Sequence, residues 1–167
     1  VQRICHYFLT RRGYARGHHS MEVGPSHSVV TVTEPSQPSA ARFAARDTPE
    51  RAGFGEEDSY RSGLVATELA TNLVKHASGG ELLICRLCGS PNGEVEIIAV
   101  DRGPGMANVI QSLSDGHSTA GTAGNGLGAV RRLSDSFDIH SQPGRGTVVL
   151  SRLRAGRAKP RRAPVLE

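Results

Sequence analysis

Apolar residues recur at helical spacing in one long stretch near the middle of the chain, VATELATNLVKHA, residues 65–77. On a helix that turns 100° per residue, its Val, Leu and Ala side chains share one broad face. The opposite side carries polar residues at spacings i, i+4, i+7 and i+8, which are Glu68, Asn72, Lys75 and His76. Taken alone, the simpler interpretation is a solvated face. Such faces usually carry several Lys–Glu pairs, however, and this one also suits a cleft for a polar, metal-bound ligand.

Hydrophobic patterning and turn residues predict further elements on either side of this stretch. A β-branched strand is predicted over residues 28–33 and a helix over 40–51, with Ala41, Phe43, Ala44 and Thr48 near one side. Pro49 should kink or split that helix. The central helix is predicted over 57–77, ended by Gly79 and Gly80. Further strands are predicted over residues 81–87, 94–101, 137–141 and 147–153, and short helices over 107–113 and 127–133.

This order of elements predicts an α+β fold of two layers, a mixed, mostly antiparallel sheet with helices on one face. Residues 1–21 are rich in Arg and His without a clear period, and we expect a disordered leader there. Residues 22–153 form the predicted domain. Residues 154–167 are mostly Arg, Ala and Pro, and we expect a disordered basic tail.

The distribution of charge argues against a nucleic-acid partner. The formal net charge is +4, yet 10 of the 20 basic residues and 15 of the 16 acidic ones lie between Glu22 and Ser151, so the middle of the chain is acidic. Aromatic residues make up 4% and Trp is absent, which leaves few platforms for base stacking. No apolar run reaches the ~20 residues of a membrane helix, and no secretory segment follows the basic N-terminus, so we expect a cytoplasmic protein with no membrane contact.

Cys85 and Cys88 have the C-x-x-C spacing of many metal and redox sites. They lie in LLICRLC, which predicts a strand, and an i, i+3 pair on a strand points to opposite faces. A zinc or redox role is therefore not expected.

Three glycine-containing stretches carry candidate chemistry. IIAVDRGPGM places Asp101 at a strand end beside Gly103 and Gly105, where a carboxylate could accept a hydrogen bond from a flat ligand. AGNGLGAVRRL places several glycines before a helix, whose free N–H groups bind phosphate. It matches neither a dinucleotide fingerprint nor a Walker-type loop. RGTVV brings Thr147 into a strand. Taken alone, the Asp101 stretch is better explained as a simple Gly-Pro turn, the glycine-rich stretch is weak evidence, and Thr147 can be an ordinary strand residue.

The combination and its order are more specific. ELATNLVKHA, DRGPG, GNGLGAVRRL and GRGT together resemble the N, G1 and G2 boxes and the final Gly-Thr of the GHKL (Bergerat-fold) ATPase superfamily, over about residues 28–153. The short single-domain build is similar to the anti-sigma-factor serine-protein kinases of bacterial partner-switching systems, the RsbW/RsbT type. The run from Asp115 to Val149 most resembles the RsbT-like switch kinases.

The resemblance implies ATP and Mg²⁺ as cofactors and a role for each motif residue. Glu68 would be the general base, Asn72 would hold Mg²⁺, and Lys75 or His76 would touch phosphate. Residues 114–125 would form the ATP lid. The adenine site would comprise Asp101, Gly103 and Gly105, with Thr147 acting through water, and the phosphates would lie at Gly124, Gly126, Leu127 and Gly128.

The function implied is an ATP-dependent serine/threonine protein kinase acting on a small STAS-type antagonist protein. A PP2C-type phosphatase, a sigma factor and a second copy of the chain are further candidate partners. The alternative is an anti-sigma factor or binding module that uses ATP mainly to shape its partner surface. Glu68 favours the kinase, since a pure binder needs no base. A sensor histidine kinase is disfavoured, because no long helix with an acceptor His precedes the N box, and His117 and His140 are expected to be incidental.

Overall fold

Five strands and four helices account for most of the described residues, which are 27–51, 54–87, 93–113 and 126–156 in this computed structural model. In chain order they are β1 (His27–Val32), α1 (Pro38–Arg51), α2 (Glu56–Ala77), β2 (Gly80–Leu87), β3 (Glu94–Val100), α3 (Val109–Leu113), α4 (Gly126–Leu133), β4 (Ser136–Gln142) and β5 (Gly146–Arg154). This order confirms the predicted succession of a strand, two helices and four strands.

The strands form one sheet in the order β1-β2-β3-β5-β4. Every pairing between these described strands is antiparallel, so the sheet is not mixed, while the α+β, two-layer fold class is confirmed. One row of the register runs across all five strands and faces the helices: Val30, Leu82, Ala99, Val149 and Ile139. Strand ends are thereby fixed relative to one another, which matters for the candidate site below.

Helix α2 supplies the centre of the main core. Val65, Leu69 and Leu73 are almost completely buried at the helical spacing that the sequence predicts. They pack with inward residues of the sheet such as Ile97 and with Leu127 of α4. The apolar stripe of α2 therefore faces the sheet, and its polar positions lie at the edge of the helical layer.

The opposite face of the sheet carries a second, smaller apolar cluster of Ile98, Val148 and Leu150. Beside it, Glu96 and Arg152 form an ion pair with an oxygen–nitrogen distance of 2.5 Å. Apolar residues on both faces explain why β3 ends in the continuous apolar run of residues 97–100 rather than in an alternating pattern.

Helix α1 differs from its prediction in two respects. Phe43 was expected on the inward side with Ala41, but 74% of its surface is exposed. Ala41 and Ala45 are buried and one helical turn apart, and Phe43 lies 200° around the helix from Ala41. Pro49 does not split the helix, which continues to Arg51. Pro49 is the third residue from the end, and its missing N–H removes only one intrahelical hydrogen bond, so the helix can continue for the two residues that follow.

Helix α2 was predicted to end at Gly79 and Gly80, but its C-terminal cap is Ser78. Ser78 takes the left-handed conformation, with φ 56°, and the Gly79 N–H donates to Leu73 O over 2.9 Å. Gly79 has φ +110°, and Gly80 already begins β2. The chain thus turns from helix to strand within two residues.

Several predictions fall outside the described residues. They concern the leader, Cys88, the whole of the lid (114–125, with Gly124 and His117) and residues 157–167. β5 runs one residue past the expected domain end at Leu153. Cys85 is half-buried, and its thiol donates to Arg86 O over 3.4 Å. Among the helices described, none combines the length and apolarity needed to cross a membrane.

A buried arginine joins the start of α2 to the ends of α4 and β5. Arg61 is 8% exposed, and its guanidinium pairs with Asp58 at 3.1 Å and with Asp135 at 3.2 Å. It also donates to Arg154 O over 2.6 Å. The two carboxylates are in turn bound by backbone, since Arg154 N–H donates to Asp135 and Gly156 N–H donates to Asp58. Charges with this many partners are costly to separate.

We expect Arg61→Ala to destabilise the domain by about 3 kcal/mol, because it leaves two partly buried carboxylates without their cation. Urea unfolding followed by circular dichroism measures this. The matched control is Arg131→Ala on the exposed side of α4, which should change the unfolding free energy by less than ~0.5 kcal/mol. Equal stability of the two variants would contradict the role given to Arg61.

Candidate functional site

The polar side of α2 lies at the edge of the helical layer, as its spacing predicts. Glu68 and Asn72 are half-buried and one helical turn apart, whereas Lys75 and His76 are exposed in the last turn. The two inner residues therefore face a sheltered space and the two outer ones face solvent.

The amide of Asn72 is buried without a partner. Its Nδ2 atom has no hydrogen bond to any described group, and a Cβ added to Gly126 would lie 3.3 Å from Oδ1. The amide thus lies close to Gly126, the first residue of α4, where a side chain would make a tight contact with it. An unsatisfied buried amide costs about 1–3 kcal/mol, and such groups commonly await water, an ion or a ligand. The unpartnered Nδ2 atom is a donor and suits an acceptor oxygen of a bound molecule, whereas the Oδ1 atom of the same amide is of the kind that can ligate Mg²⁺.

Asp101 follows β3 directly, and the two oxygens of its carboxylate differ in their hydrogen-bond partners. Oδ1 accepts hydrogen bonds from Gly103 N–H at 2.8 Å and from Thr147 N–H at 3.2 Å. The Asp101 N–H donates to Thr147 O at 3.0 Å, so the two residues are held by side chain and backbone. No described group donates to Oδ2. This oxygen is a fixed acceptor, suited to a ligand that offers an N–H group.

Glycines enclose this carboxylate because neighbouring main chains leave no space for side chains. A Cβ on Gly103 would lie 2.6 Å from Ala77 Cα and 3.1 Å from Asp101 Oδ1. A Cβ on Gly146 would collide with Asp101 O, and one on Gly80 with Val100 O. The end of β3, the end of α2 and the start of β5 therefore meet at Asp101.

Gly105 holds the next part of this loop against the β4–β5 turn. It has φ +67°, and a Cβ there would collide with Gln142 O. Gly144 N–H, in the same turn, donates to Pro104 O over 2.8 Å. The loop from Asp101 to Met106 is thus shaped by contacts that only its two glycines permit.

Thr147 has a hydroxyl partner that the sequence did not reveal. Its side chain is 6% exposed, and its Oγ1 lies 2.9 Å from Ser141 Oγ. Ser141 Oγ also accepts the Met106 N–H at 2.8 Å. One signal pointed to Ser141, since inward Phe137 and Ile139 on β4 make position 141 inward as well.

The start of α4 brings the remaining predicted residues to the other end of the site. Gly126 begins the helix beside Asn72, and Gly128 is buried in its first turn. Leu127 was expected at the phosphates, but its side chain is 8% exposed and belongs to the main core. Only its backbone N–H is available for a phosphate, together with the positive end of the helix dipole.

The described site therefore has two ends on either side of the last turns of α2. One end offers the carboxylate oxygen Asp101 Oδ2 beside Thr147. The other offers the N-terminus of α4, the amide of Asn72 and, one turn away, Glu68. His140 is exposed on β4, and no described group of three or more His, Cys, Asp or Glu side chains could hold a metal ion. A metal here would rely on Asn72 together with ligands from a bound molecule.

Comparisons with known proteins identify the family of the chain. Residues 31–152 match the family described as a histidine kinase-like ATPase domain. The chain is 36% identical over 110 residues to the serine/threonine-protein kinase RsbT of Bacillus subtilis (strain 168), covering 66% of this chain and 83% of that protein. The mycobacterial sensor histidine kinase MprB is a solved structure with 15% identity and a TM-score of 0.47, covering 78% of this chain and 98% of that one, and adds nothing to the assignment. The family match over most of the chain and the identity to RsbT show that the chain belongs to the histidine kinase-like (GHKL) ATPase domain family.

Proposed function

We propose that the chain is an ATP-dependent serine/threonine protein kinase that phosphorylates a small STAS-type antagonist protein in a bacterial partner-switching pathway. The observation that carries this proposal is Glu68, a half-buried carboxylate one helical turn from the unpartnered amide of Asn72. A carboxylate beside a metal-ligand amide suits a base that acts next to bound phosphate. The kinase class is supported by the identity to RsbT, which is named a serine/threonine-protein kinase.

The adenine would bind at the glycine-walled end. Asp101 Oδ2 would accept a hydrogen from the exocyclic amino group, while Oδ1 stays bound to Gly103 and Thr147. The missing side chains of Gly103 and Gly105 would let the flat base lie against the backbone. Thr147 would contact the base through water.

The triphosphate would extend along α2 to the start of α4. Asn72 would hold Mg²⁺ through its amide oxygen, and the ion would neutralise charge on the phosphates. The backbone N–H groups of Gly126, Leu127 and Gly128 would bind phosphate oxygens, with Gly124 before them. Lys75 or His76, exposed in the last turn of α2, would add a further contact.

Glu68 would take the proton of the attacking substrate hydroxyl while the hydroxyl oxygen bonds to the γ-phosphorus. The bond from this phosphorus to the β,γ-bridging oxygen then breaks, and ADP leaves. Phosphoryl transfer depends mainly on positioning and charge neutralisation, so these few residues are sufficient. A pure binding module would leave Glu68 without a task.

The partners belong to the same proposal. The resemblance of the motifs to the partner-switching kinases is the basis for a STAS-type substrate and, beyond it, for a PP2C-type phosphatase or a sigma factor as the next component. We propose a cytoplasmic location and a homodimer on the same basis.

Glu68→Gln should abolish phosphoryl transfer while ATP affinity stays within about twofold of wild type, because the amide keeps the shape but cannot take a proton. Transfer is measured with γ-labelled ATP, and affinity by titration calorimetry. Glu56→Gln, in the exposed first turn of the same helix, is the matched control and should transfer normally. Transfer that survives in Glu68→Gln would remove the base assignment.

Asp101→Asn should weaken ATP binding by about tenfold or more. The N–H₂ group that replaces the acceptor Oδ2 would face the adenine amino group, which is also a donor. The new amide can keep its oxygen on Gly103 and Thr147, so thermal stability should change little. Asp138→Asn on exposed β4 serves as the control. Unchanged affinity in Asp101→Asn would show that the base binds elsewhere.

Labelled phosphate on the substrate should be stable to acid, because a phosphoserine or phosphothreonine ester resists acid treatment and a phosphohistidine does not. The protein is incubated with Mg²⁺ and γ-labelled ATP in a soluble extract of its own organism, with Glu68→Gln in parallel. An acid-stable small band that is absent with the variant supports the kinase. Acid-labile label would indicate a histidine kinase, and ATP binding without any label would indicate the binding module.

A further inference from the structure

We infer that Tyr60 and Leu64, on the solvent-facing side of α2, form the surface on which the phosphoacceptor protein docks. We call these two residues the docking row. The inference rests on the proposed function, because it concerns the protein that brings its hydroxyl to Glu68. It goes beyond that function by giving substrate recognition to residues outside the nucleotide site and by predicting an apolar patch beside the phosphorylated Ser or Thr of the acceptor.

The two helices that flank α2 lie on opposite sides of it. Gly63 faces α1, since a Cβ added there would lie 2.9 Å from Arg46 Cγ and 3.3 Å from Arg42 Cγ. Asn72 faces α4, where it lies close to Gly126. Positions 63 and 72 differ by about 180° around a helix. The side of α2 that points away from the sheet therefore has α1 on one flank and the nucleotide site on the other.

One row of side chains crosses this side of the helix. Tyr60, Leu64, Glu68 and Asn72 follow one another at steps of four residues. Each step moves about 6 Å along the helix and about 40° around it, always in the same direction. The row thus begins near α1 with an aromatic ring, continues with a leucine, and ends with the proposed base and the amide beside α4.

Leu64 is an apolar side chain that points away from the core. Its position differs by about 180° around the helix from that of Leu73, which is buried in the main core. Leu64 is half-buried and belongs to neither apolar cluster of the described residues. Because it lies one helical turn before Glu68, its Cβ is about 6 Å from the Cβ of Glu68. A substrate that reaches the base therefore also reaches Leu64.

Tyr60 extends this apolar surface by one more turn, and its ring is held by a neighbouring helix. The side chain is 48% exposed. The guanidinium carbon of Arg42 on α1 lies 5.5 Å from the centre of the ring, which is within the range of a cation–π interaction. The stem of Arg42 in turn lies close to Gly63. A ring restricted in this way loses little conformational entropy when a partner covers it.

The position of the docking row beside Glu68 identifies the acceptor protein as its occupant. A protein whose hydroxyl reaches Glu68 has to lie over α2 next to that residue, and the nucleotide site takes the flank towards α4. The surface that remains is Leu64 and, about 12 Å along the helix from Glu68, Tyr60. Tyr and Arg are enriched among the residues that dominate binding energy at protein interfaces, and Tyr60 with Arg42 is such a pair.

The test follows the acid-stable band that is labelled from γ-labelled ATP, over serial dilutions of the soluble extract. Tyr60→Ala should raise the extract concentration needed for half-maximal labelling by about tenfold, because the complex loses an anchor. Labelling at the highest concentrations and ATP affinity by titration calorimetry should stay within about twofold of wild type. Leu64→Gln keeps helix propensity and should act in the same direction, whereas Tyr60→Phe keeps the ring and should label normally.

Val29→Ala is the matched control, because Val29 is also apolar and 53% exposed but lies on the opposite face of the sheet. It should leave labelling unchanged. The inference is overturned if Tyr60→Ala and Leu64→Gln label like Val29→Ala at every dilution. It is also overturned if these variants lose ATP affinity in proportion to labelling, or if they change only the sedimentation of the purified chain, which would indicate a contact between two copies.

The failures of the two proposals are distinguishable. If the wild-type chain produces no acid-stable label, the proposed function fails, and the docking row with it. If the label appears, is absent with Glu68→Gln and is unaffected by Tyr60→Ala and Leu64→Gln, the kinase stands and only the docking row fails.

Discussion

The carboxylate of Asp101 fixes the arrangement on which the rest of the site depends. One of its oxygens is bound by Gly103 and Thr147 backbone N–H groups, and this bond joins the loop after β3 to the start of β5. The close approach is possible because glycines stand where side chains would collide with the main chain. An aspartate held in this way keeps its second oxygen in a constant direction. The stereochemistry of a single side chain thus defines one end of the candidate nucleotide site.

Helix α2 connects this end to the other and also carries much of the core. Its 22 residues span about 33 Å. Arg61 is buried near the start of the helix, and Ala77 lies against Gly103 at its end. The stabilising charges gather at the first turns, and the candidate chemistry lies at the last ones. Glu68 and Asn72 lie on a long helix packed against a sheet and not on a loop, so their side chains keep fixed directions. This suits a reaction that depends on positioning.

Sequence analysis was wrong or incomplete where tertiary contacts, rather than the local sequence, determine where a side chain lies and what it contacts. Phe43 is apolar but faces away from the core, because Ala41 and Ala45 set the inward side of α1. Ser141 was overlooked because a serine on a strand has many ordinary explanations, and its importance comes only from its contact with Thr147.

The sequence by itself determined the order of the elements, the apolar face of α2 and the motif residues, because periodicity, turn chemistry and short motifs are local properties. It did not determine that all strand pairings in the described sheet are antiparallel, nor that Asn72 meets Gly126. It also did not reveal the unequal use of the Asp101 oxygens or the hydroxyl pair of Ser141 and Thr147. These features depend on strand register and on the packing of α2 against α4. They join residues far apart in the chain, and only the tertiary structure decides such contacts.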